Sequence, residues 1–302
     1  MLLSNPYPRP TAEDVCSMEG LMYYVWEREA IRLARENGHT GALTSDSILL
    51  KYKFTNIRRR DDRVSKWILH YITEPFNGQP DLWFLLLIAR LINWPPTLDA
   101  LLLAGVLPCS VTDFNTAKFV RVIEVLKHDN PKIYSGAYMV YPGKSGYKNK
   151  SQFFAHVVLI EAALRKTQIR DAIAANTVEG VVRELAKCFG ISTFIAGQVA
   201  SDLTYAPGPL AGATDLYTYA PLGPGSQRGL NYLLRRSPFA AWTQEEFNRP
   251  LLEVNERIFE DLDICDLTLH DAQNCMCEFS KYARTVLGEG TPKTTYRPET
   301  EF

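Results

Sequence analysis

LMYYVWEREAIRLARE, residues 21–36, repeats its apolar side chains at the 3.6-residue spacing of an amphipathic helix and runs into Asn37-Gly38, a helix stop. Just downstream, Thr44-Ser45-Asp46 supplies an N-cap for a segment running through Leu50. The same period recurs at 81–92, 114–127, 152–166, 178–188, 194–203 and 227–234. Thr243 with Glu246 forms a capping box ahead of 246–261, and a last helix over 268–287 ends at Gly288. Evenly spaced strands with hairpin turns are missing from the pattern, as is alternation of strand with helix, so sandwiches, barrels and doubly wound sheets are excluded. The expected fold is all-α.

The chain has 302 residues, 33 Lys+Arg against 34 Asp+Glu and 46% hydrophobic residues. That composition excludes a disordered, collagenous or disulfide-scaffold protein. The length fits a single helical domain over 1–302, or two packed lobes divided near 130–150. The apolar run 82–89 stops at Arg90, far short of the roughly 20 residues a membrane span needs. With no basic and apolar leader at its start, the chain is expected to be intracellular and to have no membrane partner. Six cysteines in a chain this long read as free thiols.

Five regions carry residue types suited to chemistry. Residues 51–67, KYKFTNIRRRDDRVSKW, hold seven basic residues and two acidic ones. Arg58, Arg59, Arg60, Arg63 and Lys66, with aromatics interleaved, suit phosphate contact on nucleic acid; the plainer alternative pairs them with Asp61, Asp62 and other acids. Residues 134–150 contain Gly-Lys-Ser, but Tyr138 stands where a Walker A motif has its first glycine, so a phosphate-gripping P-loop is excluded there. The loop is left with its glycine amides and with Lys144, Lys148 and Lys150 to meet phosphate or a small anionic ligand. Residues 185–203 form a helix, a turn at Gly190 and a second helix entered through Ser192 and Thr193, which fits a helix-hairpin-helix gripping a DNA phosphate or a plain αα-hairpin.

Residues 213–230, ATDLYTYAPLGPGSQRGL, bring together Asp215, Tyr217, Gly223, Gly225, Ser226 and Arg228. The glycine turn offers backbone amides and Arg228 a bidentate donor, as an anionic phosphate requires; a rigid turn capping a helix has the same pattern. In residues 269–282, LHDAQNCMCEFSKY, helical spacing aligns His270, Asn274, Cys277, Glu278 and Lys281, with Tyr282 beside them. Cys265, His270, Cys275 and Cys277 lack the spacing of a zinc site, so no metal is expected.

Taken in order, REAIRLARENG, FTNIRRRDDRVSKWI, LWFLLLIARLIN, the GAYMV loop, FIAGQVASDL, LGPGSQRGLN and LHDAQNCMCEFSKY resemble the phage thymine-hypermodification family. That family comprises α-glutamyl/putrescinyl thymine pyrophosphorylases and amino acid:DNA transferases, and is related to the helical domain of 5-hydroxymethyluracil DNA kinases. The resemblance implies an all-helical architecture like that of helix-hairpin-helix DNA glycosylases, acting on 5-hydroxymethyluracil-derived bases already in DNA within a phage-infected bacterial cytoplasm. The chain departs from the family's G-V-G hairpin turn, with Gly190-Ile191-Ser192 in its place.

The function expected from residues and resemblance together is transfer of an amino acid or amine onto a phosphorylated 5-hydroxymethyl group of uracil in DNA, releasing phosphate or pyrophosphate, without a cofactor. Arg228 and the glycine turn would take the leaving phosphate, Asp215 or Glu278 the amine's proton, and Lys281 the amino-acid carboxylate or the phosphate. Tyr217, Gly223, Gly225, Ser226, His270, Asn274 and Tyr282 would line the substrate pocket. A noncatalytic DNA-binding module of a kinase system and a base-excising glycosylase are the alternatives.

Overall fold

The computed structural model describes residues 4–136, 140 and 146–296. Fourteen α-helices run through the described residues in chain order: α1 Met18–Glu36, α2 Ser47–Lys51, α3 Arg63–Ile68, α4 Leu82–Ile92, α5 Pro95–Leu103, α6 Thr116–Asp129 and α7 Lys150–Phe153, then α8 Leu159–Leu164, α9 Lys166–Ala174, α10 Val178–Ala186, α11 Thr193–Thr204, α12 Pro224–Leu233, α13 Gln244–Leu262 and α14 Leu269–Val286. Strand character among these residues is limited to one isolated bridge, Tyr52 to Thr295. The fold is therefore all-α. No described helix is long and apolar enough to cross a membrane.

The chain folds as two compact units, one made of the residues up to Asp62 with those from Tyr217 onward, the other Arg63–Leu216. The boundaries thus fall at 62/63 and 216/217.

In the first unit, α1 starts where the Ser17 hydroxyl accepts from the Gly20 amide. Its apolar stripe packs with Phe247, Leu251 and Ile258 of α13 and Met276 and Phe279 of α14 into one buried core. Both α13 and α14 open with complete capping boxes, Thr243 with Glu246 and Thr268 with Asp271. The α12 and α14 backbones approach so closely that a Cβ on Gly229 would sit 2.1 Å from the Met276 carbonyl oxygen, and one on Gly225 would sit 2.3 Å from Cys277 Sγ.

The second unit is built around α4, all eleven residues of which are buried, packed on α11. Arg90 of α4 lies in this core, its guanidinium held by the Asp202 carboxylate and by Ser65 Oγ at 2.9 Å. The segment read as one helix over 152–166 is α7 and α8 joined by a π turn, Phe154–Val158. Helix α5 begins on Pro95-Pro96, which suits a first turn because proline has no amide to satisfy there.

Candidate functional site

The site with the most chemistry lies in the first unit, where α14 faces residues 54–62. Asp271, Asn274 and Glu278, spaced three and four apart, share one face of α14 and each bonds that segment. Asp271 Oδ1 accepts from the Arg59 amide at 2.8 Å; Asn274 donates to Thr55 Oγ1 at 3.0 Å and to the Asn56 carbonyl at 3.2 Å. Glu278 Oε2 accepts from the Thr55 amide at 3.0 Å and pairs with Lys281 Nζ at 2.6 Å. Arg28, 2% exposed on α1, closes the segment from the other side by donating to the Phe54 and Thr55 carbonyls at 3.2 Å.

Burial dominates the electrostatics here. It raises the carboxyl pKa of Asp62 and of Asp271 above the ordinary range, even with Arg59 pulling each downward. Burial likewise pushes the Cys277 thiol up to about 11, so it stays protonated near neutrality. Around that thiol, Glu278 and Lys281 pair on α14, Arg59 reaches Asn274, and the α12 glycines on either side of Arg228 lie against Cys277 and Met276. Glu278 Oε1 has no hydrogen bond among the described residues, leaving a carboxylate oxygen for a substrate proton. Arg228 is the complementary group. Among the described residues it has no carboxylate within 4.0 Å and its buried Nε has no partner, while its guanidinium lies 5.1 Å from the Phe239 ring centroid.

Several expected site residues have other work. Asp215 belongs to the second unit and caps α10, its two oxygens accepting from the Val178 and Glu179 amides at 2.7 and 2.9 Å. Ser226 is fully buried, donating to the Gly223 carbonyl and accepting from Gln273, and Gly225 lies against Cys277, so both pack α12 onto α14. Gly223 is the N-cap of α12, and a Cβ there would meet Gln273 Nε2 at 3.0 Å. Tyr282 is fully buried and donates to Asp46 at 2.7 Å, so it belongs to the core. His270 is also buried. Tyr217 stays 55% exposed.

The arginines of the basic cluster are largely paired with acids. Arg58 is bound by Glu29 at 2.9 Å and Asp266 at 3.1 Å, and Arg60 pairs with Asp266 at 2.8 Å. Arg59 is buried on Asn274 at 3.1 Å. Arg58 and Arg60 hold the 54–62 segment to α1 and to the approach of α14, their charge matched by Glu29 and Asp266, and Arg59 lies 3.9 Å from Asp62. Arg63 and Lys66 are exposed on α3 in the second unit, as is Lys148 before α7. Lys144 lies outside the described residues.

The α10–α11 hairpin is present, with Ser192 and Thr193 exposed and the Ser192 hydroxyl spent on the Ile195 amide. Its Gly190 is required twice over, by φ +85° and by a Cβ position 2.8 Å from Val158 Cγ2. No group of three His, Cys, Asp or Glu residues suited to a metal occurs among the described residues.

Sequence reasoning missed Arg28 and Asp271. The signal for Arg28 was a charged residue on the apolar stripe of α1, four after Tyr24 and three before Ile31. That for Asp271 was its place as third residue of α14, where it shares in a capping box and in the site.

The sequence pattern of the helical domain of 5-hmdU DNA kinases matches residues 16–291. The chain belongs to that family. A 5-hmdU DNA kinase of Bacillus phage SP10 is 27% identical over 231 residues, which are 69% of this chain and 34% of that protein. The chain therefore spans about a third of the length of the curated relative it matches. No solved structure matches it. Within this helical-domain family the segments drawn together at α14, 54–62 and 223–229, are among those quoted above for the resemblance.

Proposed function

We propose that the chain modifies 5-hydroxymethyluracil-derived bases in DNA, transferring an amino acid or amine onto a phosphorylated 5-methylene group. The observation that carries this is the Glu278–Lys281 pair on α14, with one Glu278 oxygen open, on a helix against which α12 packs closely on both sides of Arg228, an arginine with no carboxylate within 4.0 Å among the described residues. The amine nitrogen forms a bond to the methylene carbon as the carbon–oxygen bond to phosphate breaks. Glu278 takes the amine's proton, and Arg228 meets the charge growing on the departing phosphate or pyrophosphate. Lys281 holds the carboxylate of an amino-acid donor or a phosphate oxygen. A base inside a duplex cannot present its 5-substituent to such a wall, so the substrate base is extruded or single-stranded.

A second reading, a helical module that holds modified DNA for a separate kinase domain, is favoured by the kinase relative being about three times as long as the matched segment. Incubating the protein with 5-phosphomethyluracil DNA and a pool of amino acids and polyamines, followed by mass spectrometry of the nucleosides, tests both. A new aminomethyl nucleoside supports transfer. Recovery of unchanged substrate by a protein that binds the same DNA supports the module instead.

A further inference from the structure

Residues 216–244 contain three arginines and no Asp or Glu, the longest acid-free stretch beside the site. Its second half, the loop that follows α12, is exposed yet built. Buried Asn231 fixes it by donating to the Pro238 and Ala240 carbonyls at 3.3 and 2.9 Å and accepting from Trp242 Nε1 at 2.8 Å. On this frame stand Arg235 and Arg236, both exposed, and Phe239, which at 81% is the most exposed Phe or Tyr among the described residues. The cations alternate with rings, Arg236 lying 4.0 Å from the Trp242 centroid and Arg228 lying 5.1 Å from that of Phe239. Unlike Arg58 and Arg60, none of these three arginines has a carboxylate within 4.0 Å among the described residues. Glu246, at the start of the next helix, spends its carboxylate on Thr243.

We propose that this loop is where a single DNA strand docks, its phosphates on Arg235 and Arg236 and one nucleobase stacked on Phe239, so that the strand reaches Arg228 directly. Guanidinium groups with no carboxylate partner, two of them donating only to the Cys16 and Ala241 carbonyls at 3.4 and 3.5 Å, beside an exposed Phe239 and a half-buried Trp242 on a built frame, suit a strand of phosphates and flat bases, whereas an apolar protein partner leaves the arginines unanswered. The proposal rests on the reading that the substrate is DNA.

The test is fluorescence anisotropy of the full chain with a labelled single-stranded oligothymidylate, together with photocrosslinking to an oligonucleotide carrying 5-iododeoxyuridine. Phe239→Ala should weaken binding roughly five- to hundred-fold, the range seen for losing one stacked base. Arg235→Gln and Arg236→Gln should each lower the slope of log affinity on log salt by about 0.7. The crosslink should fall in the tryptic peptide 237–257, because trypsin does not cut between Arg249 and Pro250. Because these side chains are exposed, circular dichroism melts should match the wild type, separating lost contact from lost fold. Wild-type binding with unchanged Phe239→Ala affinity and crosslinks elsewhere would overturn the docking surface while leaving a DNA substrate intact. Self-association that Phe239→Ala abolishes without touching DNA affinity would overturn it in favour of a protein contact. Failure of the wild type to bind single-stranded, duplex or modified DNA would overturn the DNA reading as well.

Discussion

Replacing Gly229 with alanine tests whether α12 is seated on α14 backbone to backbone. The added Cβ would lie 2.1 Å from the Met276 carbonyl oxygen, 2.8 Å from its carbon and 3.2 Å from its Cα. An ordinary carbon–oxygen approach is about 3.3 Å, so the helices must part by about 1.2 Å. Main chain cannot rotate aside as a side chain would. Overpacking costs about 1–3 kcal/mol, with a backbone collision at the upper end, and removing a glycine from a helix returns about 1 kcal/mol. The net loss is about 2 kcal/mol, which at a urea slope of about 2 kcal/mol/M moves the midpoint down by about 1 M. Arg228 precedes Gly229 and shifts with it, and misplacing a catalytic group by about 1 Å costs on the order of 10²-fold in rate. Urea titration followed by circular dichroism, with Gly212→Ala as control because nothing lies within 4 Å of that Cβ, checks the stability half. A Gly229→Ala midpoint at or above that of the wild type would falsify the packing argument.

Glu278→Gln should lower single-turnover transfer by about 10²–10⁴-fold, and Arg228→Lys should be damaging although it keeps its charge, because an ammonium cannot replace a planar bidentate donor; near-wild-type rates for both would move the chemistry away from α14. Asp215→Ala should cost about 0.5–2 kcal/mol, as loss of a helix cap does, and leave transfer unchanged; a rate loss without destabilisation would return Asp215 to the reacting centre. Arg58→Ala should destabilise by about 1–3 kcal/mol through its lost charged hydrogen bonds while keeping the salt slope of DNA binding, and a shallower slope would place Arg58 on the DNA. Hydrogen bonds from Lys127, Ser151 and Asn149 hold Glu124 down at about 2, so its contribution to stability is complete above the ordinary glutamate range and fades as pH falls from about 4.5 toward 2. The stability gap between wild type and Glu124→Gln should close over that window, and a gap independent of pH would refute the assignment.

The elements legible in the sequence were those that carry their own terminal signals. Thr243 with Glu246 announced α13, and Asn37-Gly38 ended α1 where expected. Helix α5 escaped because Pro95-Pro96 reads as a break in isolation, although at a helix start it costs nothing. The π turn inside 152–166 escaped because its side chains keep a near-helical period while the backbone widens. In the site, the polar face of α14 was visible because Asn274 and Glu278 lie within one helix. What they bond was not, since Thr55 stands 219 and 223 positions away from them.

The two arginine groups show why local density misleads about nucleic-acid contact. RRRDDR is the densest basic run in the chain, yet Arg58 reaches Asp266 across 208 positions and Glu29 across 29. Folding brings in the acids that a window of sequence leaves out, and a guanidinium so matched releases little on meeting phosphate, because binding must first break the pair. Arg228, Arg235 and Arg236 are fewer and more scattered, but their helix and loop come from an acid-free stretch, with rings facing Arg228 and Arg236, and the Cys16 backbone carbonyl facing Arg235, in place of carboxylates. A cation against a ring keeps its charge uncompensated for an incoming anion, whereas one against a carboxylate is already compensated by it. On the proposed reading, the paired Arg58 and Arg60 hold the 54–62 segment in shape, and the arginines of α12 and its following loop are the ones left to meet DNA.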